Sequence, residues 1–146
     1  LKYPDVEVEQ WPLQEFTYLC PEKYRGTTRD ERQTEKKAYW QKGDPAYRDG
    51  QGAESFYDFL GRIEQAIEKL KGYSGHIIIF THGHVIRVMI WFILSGYLNR
   101  DQDCLQRYRY LRKALSVPNG AMIQINLSEA NMSLSSIITD HLSDKR

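Results

Sequence analysis

Apolar residues recur at helical spacing between residues 55 and 70. Ser55 and Asp58 form a capping-box pattern at the start of this stretch, with a hydroxyl and a carboxylate three positions apart. The apolar side chains that follow would share one face of a helix, which predicts an amphipathic helix packed on a core. These residues are Phe56, Phe59, Leu60, Ile63, Ile67 and Leu70.

Two apolar runs with a short polar interruption follow this helix. Residues 76–81 (HIIIFT) are β-branched without alternation, which predicts a strand covered on both faces. Residues 85–97 are apolar on almost every side and predict a buried helix that Gly96 closes. Gly83 lies between the two runs and predicts a turn. The pattern therefore describes a buried strand that leads through a glycine into a buried helix.

Weaker patterns cover the rest of the chain. They predict a half-exposed strand at 6–11, a solvated helix at 27–40 capped by Thr28, a loop at 42–52, a helix at 105–115, and strands at 120–127 and 132–139 that form a hairpin with a turn near SEAN. Strands that alternate with helices predict a single three-layer α/β domain with a mixed sheet over residues 1–146.

Composition narrows the class of protein. Hydrophobic residues make up 41% of the chain and charged residues 27%, as in ordinary soluble domains. The chain has 20 basic and 19 acidic residues, so its net charge does not favour binding to nucleic acid or to an anionic membrane. No apolar run reaches the ~20 residues of a membrane span. Cys20 and Cys104 lie far apart without metal-site spacing, which favours a reduced, intracellular setting.

The polar interruption Thr81-His82-Gly83-His84 is compatible with a zinc site, a phosphate cradle or a plain tight turn. Zinc is disfavoured because Ile86 and Arg87 occupy the positions where a zinc signature would continue, and an arginine repels a dication. A phosphate cradle fits better, since the free N–H groups at a helix N-terminus bind anions at the carboxyl edge of a sheet. For His82 and His84, a core histidine bonded to the backbone remains the alternative.

The same residues carry a resemblance to a known family. The stretch IIIFTHGHVIRVMIWFILSG resembles the second histidine motif of the histidine phosphatase (phosphoglycerate mutase-like) family, in which a strand ends in Ser/Thr-His-Gly before a buried helix. GAESFYDFLGRI (52–63) is similar to the family's Gly-Glu-Ser segment, and WPLQEFTYL (11–19) to the segment that carries its catalytic acid. SVPNGAMIQI and the closing DHL also match in order. The resemblance implies a three-layer α/β/α fold with a mostly parallel central sheet.

The resemblance also implies roles for individual residues. His82 corresponds to the second, phosphate-holding histidine, and Glu15 to the general acid that protonates the leaving oxygen and then activates water. The backbone N–H groups of Gly83 and His84 correspond to the turn that meets the phosphoryl oxygens. Tyr18 lies where the mutase branch places a substrate-contacting tyrosine. The family's chemistry needs no metal and no cofactor.

One family motif is missing from the sequence. None of the four histidines follows an arginine, so the Arg-His-Gly motif of the nucleophile and its strand are absent. We therefore expect a truncated domain, its C-terminal two-thirds, whose natural polypeptide carries the nucleophile upstream. The 146 residues alone should be inactive, because the covalent route is lost. Unpaired strand edges would favour a homo-oligomer or a second chain that supplies the strand.

The first functional hypothesis is a cytoplasmic phosphohydrolase that acts on small phosphate esters, with residues 21–52 as a lid over the pocket. The lid carries Arg25, Arg29 and Arg32, which could read a second anionic group or simply face solvent. The alternatives are a non-catalytic phosphate-binding or regulatory module, a phosphoglycerate mutase-type phosphotransferase and, third, a zinc hydrolase.

Overall fold

The computed structural model describes residues 6–128 and 131–142, so part of the predicted SEAN turn (residues 129 and 130) lies outside the described residues. The elements follow one another as α1 (Gln33–Lys42), α2 (Phe56–Leu70), α3 (Gly83–Ser95), α4 (Cys104–Ala114), β1 (Ile125–Leu127), β2 (Met132–Leu134) and a short 3-10 turn (Asp140–Leu142).

Helix α2 forms as its sequence pattern predicts. The Ser55 hydroxyl accepts a hydrogen bond from the Asp58 N–H, and the Asp58 carboxylate accepts one from the Ser55 N–H at 2.9 Å, so the capping box is complete. All six apolar side chains predicted for the inner face are buried. The local signal and the packing agree here, because the helical period alone places these side chains on one face.

Most of the core is formed by three consecutive helices, with α3 between α2 and α4. Helix α3 packs against both α2 and α4. The predicted helices at 85–97 and 105–115 are confirmed, each beginning one or two residues early, and Gly96 closes α3 with a left-handed φ of 77°. The largest fully buried side chains come from α2, α3 and α4 and include Tyr108, Phe56, Phe59, Leu60 and Leu105.

Helix α1 is shorter than predicted. It begins at Gln33, although Thr28 does make cap-like bonds one turn earlier, where its hydroxyl accepts from the Glu31 N–H at 3.3 Å. Tyr39 and Trp40 anchor the helix in the core. The helix ends at Gly43, whose φ of 68° is left-handed, and the predicted loop at 42–52 follows as a series of turns.

Residues 76–81 do not form the predicted buried strand. The run pairs with no strand in the described part of the chain, and Ile78 and Phe80 are 81% and 93% exposed. The prediction at 6–11 is wrong in the same way, since these residues lie outside any strand and Val8 is exposed. A strand needs a neighbour for its N–H and C=O groups, and no described strand pairs with either run.

The predicted C-terminal hairpin is confirmed with shorter strands. β1 and β2 pair antiparallel, with Ile125 opposite Leu134, and an isolated bridge joins Met122 to Ile138. The described residues thus contain four α-helices and one two-stranded sheet. The domain is α/β, but the three-layer arrangement around a mostly parallel sheet does not appear in the described residues, because the runs that would build it remain unpaired.

Cys20 and Cys104 are both buried free thiols, and no helix in the described ranges is long and apolar enough to cross a membrane.

Candidate active site

The structure brings the predicted acid to the predicted phosphate cradle. Residues 11–17 run past the N-terminus of α3, and the Glu15 carboxylate lies against its first turn. Glu15 Oε1 accepts hydrogen bonds from the Phe16 N–H at 3.0 Å and from the His84 N–H at 3.3 Å. These positions are 69 residues apart in sequence. A carboxylate at this end of a helix is stabilised by the free N–H groups and the helix dipole.

His82 is the N-cap residue of α3. Its backbone is extended (φ −116°, ψ 161°), its carbonyl accepts from the Ile86 N–H at 3.0 Å, and its exposed side chain makes no capping bond. The imidazole has no hydrogen-bond partner in the described ranges, so it is free to meet a ligand at the same end of α3 that Glu15 faces.

Gly83 leaves room for the side chain of Arg87 at the first turn of α3. It is the first residue of α3, and its φ is not positive. A Cβ at this position would lie 2.9 Å from Arg87 Nη1, whose guanidinium donates to the Gly83 carbonyl at 2.9 Å and to the Leu115 carbonyl at 2.9 Å. The glycine therefore allows Arg87 to fold back over the first turn and tie α3 to the end of α4.

The side chain of His84 belongs to the core. Its Nδ1 lies 2.6 Å from the Tyr108 hydroxyl, and its ring stacks on Trp40 with centroids 5.9 Å apart. Burial, with the nearby charges of Arg112 and Arg87, lowers the pKa of His84 to about 3. The imidazole is therefore neutral at physiological pH. Only the backbone N–H of His84 faces the site, and it is bonded to Glu15.

Tyr18 lies in an aromatic cluster beside the site. Its ring is 4.7 Å from that of Tyr39 and 5.3 Å from that of Trp40, measured between centroids. Burial raises the pKa of the Tyr18 hydroxyl, and the positive charge of Arg112 opposes this rise. The predicted substrate contact of Tyr18 stays a prediction.

Two side chains to which the sequence analysis gave no role, Arg62 and Glu54, hold residues 12–17 (the acid-bearing segment), which include Glu15. Arg62 on α2 donates to the Pro12 and Gln14 carbonyls at 2.7 and 2.9 Å, and pairs with Glu54 at 2.6 Å. In the sequence both residues lie in the GAESFYDFLGRI segment, which was interpreted through its capping pattern, its apolar face and its family resemblance, without a role for either side chain. The one sequence signal for this role is an arginine on a helix with an apolar face. The backbone carbonyls that Arg62 binds lie about 50 residues away, so the sequence pattern could not identify them.

A cavity of about 400 Å³ separates the predicted lid from the acid-bearing segment. Thr17 lines it on one side and Arg25 and Arg32 on the other, whereas Glu15 and the first turn of α3 do not line it. Arg25 pairs with Glu22 at 2.7 Å, and the Arg32 guanidinium donates to the Thr28 carbonyl at 3.2 Å.

In the described residues no group of three or more His, Cys, Asp or Glu side chains is arranged to hold a metal ion.

Comparison with known families assigns the chain. The family described as the histidine phosphatase superfamily (branch 1) matches residues 3–108, a span that includes Glu15, Tyr18 and the His82 turn. No curated protein and no solved structure matches. The matched span covers most of the chain and contains the acid-bearing segment, helix α2 and the α3 N-terminus described above. The chain therefore belongs to the histidine phosphatase superfamily.

Proposed function

We propose that this chain is the larger part of a phosphohydrolase that cleaves small phosphate esters through a phosphohistidine intermediate. The observation that carries the proposal is the contact between Glu15 Oε1 and the His84 N–H. It places a carboxyl group at an anion-binding helix N-terminus whose N-cap residue, His82, is exposed and makes no side-chain hydrogen bond within the described ranges. Family membership supports a phosphatase or mutase chemistry in general, and this contact supports the finer assignment.

The side chains divide the reaction between them. The nucleophilic imidazole attacks phosphorus and the P–O bond to the leaving alcohol breaks, while Glu15 gives its proton to that oxygen. Glu15 then takes a proton from water, whose oxygen attacks the phosphohistidine and releases inorganic phosphate. His82 and the Gly83 N–H would hold the phosphoryl oxygens, where they offset the developing negative charge, while the His84 N–H holds the Glu15 carboxyl.

The nucleophile, in this proposal, comes from a strand outside these residues. No histidine of the chain follows an arginine, as the family's nucleophile does. Residues 76–81 are mostly apolar and pair with no strand in the described part of the chain, and His82 follows them directly. A strand paired along them would carry its own C-terminal end to the same point. Such a strand, from an upstream segment or from a second chain, would cover Phe80 and complete a parallel sheet between two helical layers.

The substrate is expected to be a small phosphorylated molecule, bound in the cytoplasm under the segment 21–52. That segment lines the 400 Å³ cavity with Tyr24 and Thr27, and it contributes Arg25 and Arg32. Tyr18 would contact the part of the substrate beyond the phosphate.

The proposal is tested on the natural polypeptide that contains an upstream Arg-His-Gly segment, with p-nitrophenyl phosphate and alkyl phosphates as substrates. Turnover should be accompanied by an acid-labile phosphoenzyme. Glu15→Gln should lower kcat on the alkyl esters by about 10²- to 10⁴-fold, and His82→Ala should also abolish most activity. His76→Gln, at the exposed start of the run 76–81, is the matched control and should retain activity.

Two outcomes would decide against this assignment. Turnover by residues 1–146 alone would contradict an upstream nucleophile. A natural polypeptide without Arg-His-Gly that binds inorganic phosphate but hydrolyses nothing would favour the second candidate, a non-catalytic phosphate-binding module. That candidate is kept because the chain itself has the cradle and lacks the nucleophile.

A further inference from the structure

We propose that Arg62 is a positioning residue, which works with Glu54 to hold the backbone of residues 12–17 and thereby fixes the Glu15 carboxyl at the α3 N-terminus. The inference rests on the proposed function, since it treats Glu15 as the general acid. It assigns a role in the reaction to two side chains that never touch the reacting atoms.

The guanidinium of Arg62 spans the segment that carries the acid. Nη1 donates to the Pro12 carbonyl at 2.7 Å, and Nη2 donates to the Gln14 carbonyl at 2.9 Å and the Glu15 carbonyl at 3.4 Å. The Arg62 side chain is only 11% exposed, and its guanidinium lies over the Phe59 ring, 4.8 Å from the centroid. Packing against Phe59 therefore helps to fix the orientation of the guanidinium that donates to these carbonyls.

Glu54 holds the other end of the same segment. Its carboxylate accepts from Arg62 Nε at 2.6 Å, from Arg62 Nη2 at 3.0 Å and from the Thr17 N–H at 3.1 Å. The Glu54 N–H in turn donates to the Thr17 carbonyl at 2.8 Å. Glu54 precedes the capped start of α2 and is 19% exposed. Glu15 thus lies between two anchored points, both tied to one helix.

This support is needed because residues 12–17 have no strand beside them in the described ranges. Their carbonyls must be satisfied by side chains instead of a ladder. Thr81 contributes a further bond, from its hydroxyl to the Leu13 carbonyl at 2.7 Å. A charge-assisted, bidentate pair is strong and directional, and lysine cannot reproduce it because an ammonium is a point charge without the planar fork.

A positioning role differs from a purely structural one in its dependence on the leaving group. A proton from Glu15 is needed when an alkoxide departs, but hardly when a stabilised dinitrophenolate departs. If Arg62 places the acid, loosening it should slow alkyl esters selectively. If Arg62 only stabilises the fold, both esters should slow together.

The test compares Arg62→Lys with Arg100→Lys in the active natural polypeptide, using an alkyl phosphate and 2,4-dinitrophenyl phosphate. Arg100 is a matched control, since it pairs with Glu64 on the same helix α2 and is 42% exposed, away from residues 12–17. For Arg62→Lys we expect kcat on the alkyl ester to fall on the order of 10²-fold, and kcat on the dinitrophenyl ester to change by less than about 3-fold. Arg100→Lys should change neither.

Equal losses on the two esters would overturn the positioning role and leave the proposed function intact. Failure of the parent protein to hydrolyse either ester would reject the proposed function instead.

A second measurement, hydrogen exchange on residues 1–146, tests the geometry without activity. The amides of Phe16, Thr17 and His84 donate to Glu15 or Glu54, so they should exchange faster in Arg62→Lys and be unchanged in Arg100→Lys. Unchanged exchange at all three amides in Arg62→Lys would contradict the inference, whatever the enzyme does.

Discussion

The imidazole of His84 shows how a single side chain can carry both packing and electrostatics. It stacks on Trp40, bonds to Tyr108 and lies within reach of the charges of Arg112 and Arg87. Both burial and those positive charges disfavour its protonated form. His84 therefore links α3, α4 and α1 as a neutral residue, while its backbone N–H serves the Glu15 carboxyl.

The titration of His84 makes a prediction about acid stability. Its pKa falls from 6.5 to about 3 on folding, so the unfolded state binds the proton more tightly. Its contribution to stability is present above pH 6.5 and is lost as the pH falls toward about 3. Between pH 6.5 and about pH 4 the loss should be about 3 kcal/mol.

Urea denaturation of the parent and of His84→Gln at a series of pH values measures this loss. Both proteins share the titration of their carboxylates, so the difference between them isolates the histidine. The parent should lose about 3 kcal/mol more than the variant over that range. Parallel pH profiles would show that His84 is not buried as the structure places it.

Tyr108 makes a second prediction. Tyr108→Phe removes the hydroxyl that lies 2.6 Å from His84 Nδ1 and leaves that buried nitrogen without its partner. The free energy of unfolding should fall by about 1–3 kcal/mol, as measured by urea denaturation at neutral pH. Tyr110→Phe, on the exposed side of α4, is the control and should cost much less. A loss no greater than that of the control would mean that the bond contributes nothing.

At the level of the helices and strands, the sequence predicted an element correctly where its own residues form a cap and a continuous apolar face. Helix α2 has both a capping box and a continuous apolar face, and it forms within the predicted bounds. Helix α1 has a polar sequence with little amphipathic pattern. The predicted start, capped by Thr28, is therefore wrong, and the helix begins at Gln33. Its position depends on Tyr39 and Trp40, which enter a core built by other elements.

The capping box of α2 can be tested directly. Ser55→Ala removes the hydroxyl that accepts from the Asp58 N–H, and should lower the free energy of unfolding by about 1 kcal/mol. Ser116→Ala, in the exposed segment after α4, should change it by less than about 0.5 kcal/mol. Equal effects of the two substitutions in thermal or urea denaturation would deny the cap its role.

For the molecule as a whole, the exposed run 76–81 is the feature that favours association with another chain. Phe80 and Ile78 present apolar side chains to solvent, and no strand among the described residues pairs with their backbone. Exposed apolar segments with unpaired N–H and C=O groups are sites of association. The helical core, in contrast, is complete, since the inner faces of α2, α3 and α4 bury one another.

The cost of Phe80→Ala should therefore depend on context. In residues 1–146 the side chain is 93% exposed, so the free energy of unfolding should change by less than about 0.5 kcal/mol. In a protein whose sheet is completed over this run, the same change should cost about 3–5 kcal/mol. Val8→Ala, also at an exposed position, serves as the control in the short chain. Equal, small costs in both proteins would contradict a strand docked along 76–81.

The sequence by itself determined the helices with strong periodicity, the C-terminal hairpin and the family, whereas the catalytic roles of Glu15 and His82 stay predictions. These features depend on short-range patterns, because a helix cap, an apolar face or a family motif is defined by residues close together in the sequence. The tertiary structure alone decided that Glu15 meets the His84 N–H, that Arg62 holds the acid-bearing segment and that the apolar run 76–81 lies open. Each depends on contacts between residues far apart in the chain, or on a neighbouring strand that periodicity cannot supply.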